Sequence, residues 1–190
     1  MMLHLVIGGA ASGKSRYAEA LTVKYAAGRP LIYLATMAAR DEESLLRIKK
    51  HREARKGFPF ETFEKSRRIG ELLPVLLPGS CLLLEDIPNL VANELFSADE
   101  PSAPFSEKEM TAAVCRITED ITQLALRSFF VTVVTGELFT GGSRYSRETL
   151  LYLRVLAEVN RRLAEQADSV TELVCGCANM IKNENDLTVD

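Results

Sequence analysis

One short segment of the chain combines glycine, lysine and serine at a spacing that can hold a phosphate group. Residues 8–15, GGAASGKS, match the pattern G-x-x-x-x-G-K-[ST]. Small residues let the backbone curl so that its N–H groups face an anion, and a helix beginning near Lys14 adds its positive end. The Lys14 ammonium can reach the β- and γ-phosphates, and the Ser15 hydroxyl can bind Mg²⁺. The alternative is a glycine turn that only joins a strand to a helix, but the apolar segment before it and the amphipathic segment after it favour nucleotide binding.

Two acidic residues end another apolar segment and are candidates for metal binding. In LLLEDIPNL, residues 82–90, Glu85 directly follows the apolar residues and Asp86 comes next. In a phosphate-binding fold of this kind, an acid at the end of a neighbouring strand orders the magnesium ion and its waters. Asp86 precedes Pro88 and can instead cap a helix. The spacing leaves the choice between the two acids open, and we favour Glu85, together with Ser15, as the metal-associated pair.

A basic segment surrounds one of the two histidines. In RIKKHREAR, Arg47, His51 and Arg55 recur at a spacing of four and share one face of a helix. Neighbouring cations lower the pKa of an imidazole, and a neutral imidazole can attack phosphorus to form a phosphoramidate. The alternative is a solvated basic helix, and the spacing alone favours that alternative. The other histidine, His4, lies in the first predicted strand and is expected to be structural.

Strand-like and helix-like segments alternate along the chain, which predicts an α/β fold. Apolar segments predict strands at 3–7, 31–35, 81–84, 129–135 and 170–175. Helical periodicity is present at about 15–27, 41–56, 66–77, 88–97, 107–127 and 146–167. A weak alternation over 58–64 predicts a short edge strand. We therefore predict a mostly parallel sheet with helices on both faces, P-loop NTPase-like, in one nucleotide-binding and transferase domain over 1–178, followed by a C-terminal tail over 179–190.

Composition and charge exclude several classes of partner. The net charge of −3 gives no overall basic field, so we expect no nucleic-acid partner. No segment resembles a signal peptide or a membrane span, so a cytoplasmic protein is expected. The four cysteines lack the spacing of a zinc site and are expected to be reduced, packed thiols.

The combined motifs resemble those of the bifunctional adenosylcobinamide kinase/adenosylcobinamide-phosphate guanylyltransferase family of cobalamin biosynthesis. The resemblance extends from the first strand to about residue 175, and its most specific part is the Arg-Ile-x-x-His helix followed by FETFE at 60–64. It implies that a nucleoside triphosphate phosphorylates the aminopropanol hydroxyl of adenosylcobinamide. It also implies that GTP then transfers GMP, through a guanylylated histidine, to the resulting phosphate. By position that histidine is His51. The resemblance therefore favours a catalytic His51, whereas the spacing alone favours a solvated basic helix.

The resemblance also implies a larger site and an assembly. Catalysis would fall to His51 and Lys14, with Mg²⁺ as the cofactor and with GTP, ATP and a corrinoid as small-molecule substrates. The chain would form a homo-oligomer, commonly a trimer. Besides the residues at 8–15, the implied nucleotide contacts are Ala35, Thr36, Met37, Arg52, Glu53, Ala54, Arg55, Glu64 and Glu85.

Several positions depart from the family pattern, among them Ala11, Phe60, Arg161 and the loop at 136–142. Ala11 stands where an arginine is common, and GELFTGG at 136–142 replaces a longer motif that contains proline. Two other interpretations therefore stay open. The chain could be a P-loop kinase or nucleotidyltransferase with a different acceptor, or a module that binds nucleotide without turnover.

Overall fold

The computed structural model describes residues 2–38, 42, 45, 46, 49, 53, 57–96, 106–138 and 145–183. The described strands are β1 (Leu3–Gly8), β2 (Leu31–Ala35), β3 (Phe60–Glu64), β4 (Cys81–Glu85), β5 (Phe130–Gly136), β6 (Ser169–Val174) and β7 (Cys177–Asn183). The described α-helices are α1 (Lys14–Ala26), α2 (Ile87–Leu95), α3 (Glu107–Arg127) and α4 (Arg147–Gln166).

All seven described strands belong to one sheet with the order β3-β2-β4-β5-β1-β6-β7. Every neighbouring pair is parallel except β6 and β7. The predicted mostly parallel α/β sheet is therefore confirmed. Residues 60–64 of the alternating segment at 58–64 form β3, which does lie at one edge of the sheet. Parallel neighbours align their carboxyl ends, so the loops after β1, β2, β4 and β5 meet on one side of the sheet.

The two faces of the sheet carry different helices because successive side chains of a strand point in opposite directions. On one face Leu82, Leu84 and similar strand residues pack against apolar residues of α2, α3 and α4, including Leu90, Ile117 and Leu156. On the other face Val6, Tyr33 and Leu83 form a smaller cluster with Ala18 of α1. Helices therefore cover both faces, as predicted.

The predicted helix over 66–77 is wrong. Only Ile69–Leu72 is helical, as one turn of 3₁₀ helix, and turns follow it. The apolar period identified core residues correctly, since Ile69 and Leu76 are buried. Pro74 and Pro78 explain the failure, because a proline cannot donate the backbone hydrogen bond of a helix and restricts the residue before it.

The end of the sheet also differs from the prediction. The segment expected to be a tail from residue 179 contains most of β7, which pairs antiparallel with β6 as far as Asn183. Most of this strand is exposed, so no buried period marks it in the sequence. The predicted helix over 41–56 falls mostly outside the described residues. Of the described cysteines only Cys81 is buried, whereas Cys115, Cys175 and Cys177 are exposed, so the expectation that all are packed is wrong.

Candidate active site

A cavity of about 510 Å³ opens at the carboxyl ends of the parallel strands. This is the side on which ligands bind in open α/β sheets. Its walls come from the loop after β1, the ends of β2 to β5, and the helices α1, α2 and α4. The lining residues are Gly8, Ala10, Ala11, Lys14, Ser15, Tyr33, Ala35, Met37, Glu64, Glu85, Asp86, Pro88, Asn89, Ala92, Gly136, Leu138 and Tyr152.

The loop between β1 and α1 needs small residues for its backbone path. A Cβ on Gly8 would lie 2.6 Å from the carbonyl oxygen of Leu173 on the neighbouring strand. Ala11 and Gly13 both have positive φ, 55° and 92°. The Lys14 ammonium donates to the Gly9 carbonyl oxygen over 3.0 Å, so it already lies folded back over the loop. A curled loop with a lysine above it is the arrangement that receives a phosphate group.

Two neighbouring strands and α1 bring three oxygen-bearing side chains together. The Ser15 hydroxyl donates to Oε1 of Glu85, and the Tyr33 hydroxyl donates to Oε2 over 2.8 Å. Tyr33 is 3% exposed and its ring packs edge-on to Phe60, with centroids 6.0 Å apart. Glu85 is therefore held at both carboxylate oxygens next to the phosphate-binding loop.

Asp86 has a different role from its neighbour. Its Oδ1 accepts hydrogen bonds from the backbone N–H of Asn89 over 2.9 Å and from the Asn89 side-chain amide over 2.6 Å. It is thus the N-cap of α2, followed by proline in the first turn. Burial raises the pKa of the Asp86 carboxyl, against the opposing effect of the Asn89 hydrogen bonds.

The end of β2 is tied to the start of α2 by Thr36. Its buried hydroxyl donates to the Asp86 carbonyl oxygen over 2.7 Å and accepts from the Asp86 backbone N–H over 2.8 Å. The Asn93 side chain donates to the Thr36 carbonyl oxygen over 2.9 Å. Thr36 therefore fixes the main chain that presents the acids and does not line the cavity itself.

The cavity wall formed by α2, α4 and the end of β5 is more apolar. Tyr152 donates to the Pro88 carbonyl oxygen over 3.3 Å, and its pKa is raised to about 12, mainly by burial. A Cβ on Gly136 would lie 3.2 Å from the Pro88 ring, so β5 approaches α2 closely here. Asn160 of α4 accepts from the Thr135 hydroxyl over 2.6 Å and donates to the Gly136 carbonyl oxygen over 3.3 Å. These contacts hold the end of β5 and leave Leu138 at the cavity.

The structure brings together nine of the predicted site residues: Gly8, Ala10, Ala11, Lys14, Ser15, Ala35, Met37, Glu64 and Glu85. Gly9, Ser12, Gly13 and Thr36 support the same loops without lining the cavity. Glu53 is an exposed helical residue and is not among the lining residues. His51, Arg52, Ala54 and Arg55 lie outside the described residues, so their roles stay predictions.

Several cavity residues were missed by the sequence analysis. Asp86 was considered in the sequence as a helix cap or an alternative metal-binding acid, and it is the cap; Asn89 had no signal beyond its place in the first turn after that cap. Tyr33 lies inside an apolar strand and Tyr152 inside an amphipathic helix, so no local spacing separates them from ordinary core residues. Only the assembled sheet places them at the cavity.

His4 is a buried structural residue, consistent with the expectation from its place in β1. Its Nδ1 lies 2.5 Å from the Ser169 hydroxyl and its Nε2 lies 2.9 Å from the Thr171 hydroxyl, both on β6. Burial lowers the pKa of His4 to about 4. The ring is therefore neutral at physiological pH and stays away from the cavity.

A family model described as cobinamide kinase / cobinamide phosphate guanyltransferase matches residues 4–181. The chain belongs to the cobinamide kinase / cobinamide phosphate guanyltransferase family. The resemblance seen in the sequence is confirmed, and so is the classification of the chain as an enzyme of the transferase type.

Named relatives of the cobinamide kinase / cobinamide phosphate guanyltransferase family match over nearly their full length. The bifunctional adenosylcobalamin biosynthesis protein CobU of Salmonella typhimurium is 34% identical, over 95% of this chain and all of that protein. The protein of the same name from Escherichia coli is 31% identical over 95% of this chain and all of that protein. Among solved structures, the flagellar accessory protein FlaH from Methanocaldococcus jannaschii aligns with a TM-score of 0.46 at 10% identity, over 96% of this chain and 78% of that one. Of the helices that the structure describes, none is both long and apolar enough to cross a bilayer.

Proposed function

We propose that the chain phosphorylates the aminopropanol hydroxyl of adenosylcobinamide and then transfers GMP from GTP to the resulting phosphate. The observation that supports this best is the contact between Ser15 of the phosphate-binding loop and Glu85, inside a cavity of nucleotide size. Membership of the family supplies the two reactions and the corrinoid class of acceptor. Residues up to Asn183 act as one domain in this proposal, because the described strands belong to one sheet.

The phosphoryl-transfer step depends on positioning and on charge. The loop from Gly8 to Gly13 presents backbone N–H groups to the phosphates, and the N-terminus of α1 adds a favourable dipole. Lys14 is close enough to exchange its contact with the Gly9 carbonyl for one with a phosphate oxygen. A lysine at this place neutralises charge that develops between the β- and γ-phosphates.

The donor set at Ser15 and Glu85 fits a magnesium ion. Mg²⁺ prefers oxygen ligands and is usually held by one or two protein side chains together with phosphates and water. The Ser15 hydroxyl and the Glu85 carboxylate provide such oxygens, and among the described residues no group of three or more metal-binding side chains suggests another kind of ion. When bound, magnesium supplies neutralisation of the phosphate charge. Tyr33 keeps the carboxylate oriented toward the loop.

The guanylyl-transfer step is assigned to His51. A neutral imidazole nitrogen attacks the α-phosphorus of GTP, the new P–N bond forms, and pyrophosphate leaves. A phosphate oxygen of the acceptor then attacks the same phosphorus, and the P–N bond breaks to return free histidine. Arg52 and Arg55 supply positive charge beside the reacting phosphate in this proposal, and the family resemblance of the RIKKHREAR segment supports the assignment.

The acceptor hydroxyl belongs beside the wall of the cavity formed by α2, α4 and the end of β5. Pro88, Leu138 and Tyr152 give that wall an apolar surface within the same cavity as Lys14 and Ser15. Asn89 adds a polar group there. In line with the family resemblance, the chain uses both ATP and GTP as substrates and forms a homo-oligomer, commonly a trimer.

A turnover assay with adenosylcobinamide tests the proposal directly. The purified chain is incubated with Mg²⁺, adenosylcobinamide and either ATP or GTP, and the corrinoid products are resolved by chromatography and mass. We expect adenosylcobinamide phosphate with either nucleotide and adenosylcobinamide-GDP with GTP. GTP labelled in the α-phosphate should also leave an acid-labile, base-stable label on the protein.

The other two interpretations give different results in the same assay. A kinase or nucleotidyltransferase with another acceptor leaves adenosylcobinamide unchanged while it still turns over nucleotide with a suitable alcohol or phosphate. A binding module retains nucleotide on a filter but forms no product and no covalent label. Either result overturns the proposed function.

A further inference from the structure

The turn between β6 and β7 carries two cysteines and touches the phosphate-binding loop. Cys175 and Cys177 are exposed free thiols, and Gly176 between them donates its backbone N–H to the Ser12 carbonyl oxygen over 3.0 Å. The Gly176 Cα lies 3.6 Å from the place that a Cβ would take on Gly13. The backbones of the two segments are therefore in contact, and a change in the turn acts directly on the loop.

Turn chemistry does not account for a cysteine at position 175. The backbone has φ of 50° at Cys175 and 82° at Gly176, between the paired residues Val174 and Cys177. A two-residue hairpin turn with positive φ at both positions favours Asn, Asp or Gly at the first one. Cys175 thus adopts a left-handed conformation that those residues adopt more easily. What cysteine adds at this place is a thiol.

We propose that Cys175 and Cys177 form a thiol modification site, where a small disulfide of the glutathione type closes a Cys175–Cys177 disulfide and weakens nucleotide binding at the adjacent loop. Residues separated by one have Cα atoms at most about 7 Å apart. That reaches the range of about 4.4–6.8 Å that disulfides span. The effect on binding rests on the proposed nucleotide-binding function, whereas the ring closure does not.

The modification is a two-step thiol–disulfide exchange. The thiolate of one cysteine attacks a sulfur of the external disulfide, which forms a mixed disulfide and releases one thiolate. The second cysteine thiolate then attacks the protein sulfur of the mixed disulfide and releases the other external thiolate. Two protein thiols are oxidised, the external disulfide is reduced to two thiols, and the two protons from the cysteines end on those thiols.

The Cys175–Cys177 disulfide closes a small ring that includes Gly176 and changes the backbone there. The Gly176 N–H is the group that donates to the Ser12 carbonyl oxygen. A displacement of Gly176 by the ring therefore breaks this contact. Loss of one neutral hydrogen bond that supports the loop should weaken nucleotide binding about two- to tenfold. Strained disulfides are readily reduced, so the modification is reversible by an excess of thiol.

The test uses the full-length protein equilibrated in glutathione buffers of defined ratio. After alkylation of the remaining thiols, intact mass measures the closed form, and a fluorescent GTP analogue with Mg²⁺ measures the dissociation constant. In oxidising buffer we expect an internal disulfide and a dissociation constant that is two- to tenfold higher. Addition of thiol should reopen the disulfide and restore the original dissociation constant. A stable glutathione adduct without ring closure, or an unchanged dissociation constant in the closed form, overturns the proposal.

Single-cysteine variants provide the controls. Cys175→Ser and Cys177→Ser should accumulate a glutathione adduct instead of the ring, and the double variant should keep its nucleotide affinity in both buffers. Cys115→Ser removes an exposed thiol on α3, outside the turn, and should respond as the wild type does. A response that disappears with Cys115→Ser would contradict the assignment. Nucleotide binding by the reduced protein tests the proposed function separately.

Discussion

The Ser15 hydroxyl donates a hydrogen bond to the Glu85 carboxylate, which joins the phosphate-binding loop to the end of β4 across 70 positions of sequence. Tyr33 on β2 holds the other oxygen of the same carboxylate. Glu85 is thereby placed beside the phosphate-binding loop, while the side chain of the next residue, Asp86, caps α2.

Replacement of Tyr33 by phenylalanine should raise the magnesium requirement of both reactions. The Tyr33→Phe variant keeps the ring against Phe60 but loses the hydrogen bond to Glu85, so the carboxylate is less well oriented. We expect the Mg²⁺ concentration at half-maximal rate to rise about tenfold, equivalent to about 1.4 kcal/mol, with the rate at saturating Mg²⁺ near that of the wild type. Tyr25→Phe, at the stacked contact with Phe130, is the matched control and should change neither value.

The two adjacent acids can be separated by isosteric amides. Glu85→Gln keeps the shape and removes the charge, so it should raise the Mg²⁺ requirement of both reactions in steady-state assays. Asp86→Asn keeps an oxygen that can accept from the Asn89 N–H, so it should leave thermal stability nearly unchanged and alter the Mg²⁺ requirement less. If Asp86→Asn has the larger effect on Mg²⁺, the assignment of Glu85 is wrong.

Loss of the loop lysine should slow both reactions without unfolding the protein. Lys14→Ala removes one charged contact with the phosphates in the transition state, which costs about 2–4 kcal/mol, or roughly 30- to 1000-fold in rate. Steady-state kinetics with each acceptor measure the loss, and circular dichroism checks the fold. Lys24→Ala, in the last turn of the same helix, is the control and should keep full activity. Wild-type rates for Lys14→Ala would exclude the phosphate role.

The two reactions should separate at His51. His51→Ala should still phosphorylate adenosylcobinamide, since phosphoryl transfer requires positioning and charge and no protein nucleophile. It should lose GMP transfer and the covalent label from GTP entirely. The kinase reaction of the same preparation is the internal control for folding. GMP transfer at the wild-type rate by this variant would rule out the covalent mechanism.

Stability should depend on pH through His4. The pKa of His4 is about 4 in the folded protein and about 6.5 in the unfolded chain, so the unfolded state binds more protons between these values. The free energy of unfolding is therefore unaffected by His4 protonation above about pH 6.5, and it falls as the pH is lowered from 6.5 toward 4. Urea unfolding should show a loss of about 2 kcal/mol from this residue between pH 7.5 and pH 5. His4→Gln should remove that part of the pH dependence, and an unchanged slope would contradict the assignment.

Much of the fold and of the phosphate-binding loop could be predicted because the signals are local. Gly8, Gly13 and Lys14 lie within eight consecutive residues, so their spacing can be read directly from the sequence. Helix α3 likewise begins at a local signal, the capping box of Ser106 and Glu109. Apolar periods located most strands and helices. The failures were the segment at 66–77, where prolines stop a helix, and β7, which is too exposed to show a buried period.

The sequence by itself determined that an apolar strand ends at Glu85 and is followed by Asp86, and that successive side chains of a strand face opposite sides of the sheet. It could not determine which side carries α1, because that depends on the order of strands that are distant in sequence. The tertiary structure decides it by placing Tyr33, Leu83 and the start of α1 on one face. Glu85 therefore meets Ser15, and Asp86 turns away to cap α2. Long-range strand order, which no local pattern encodes, is the physical reason that only the folded chain chooses between the two acids.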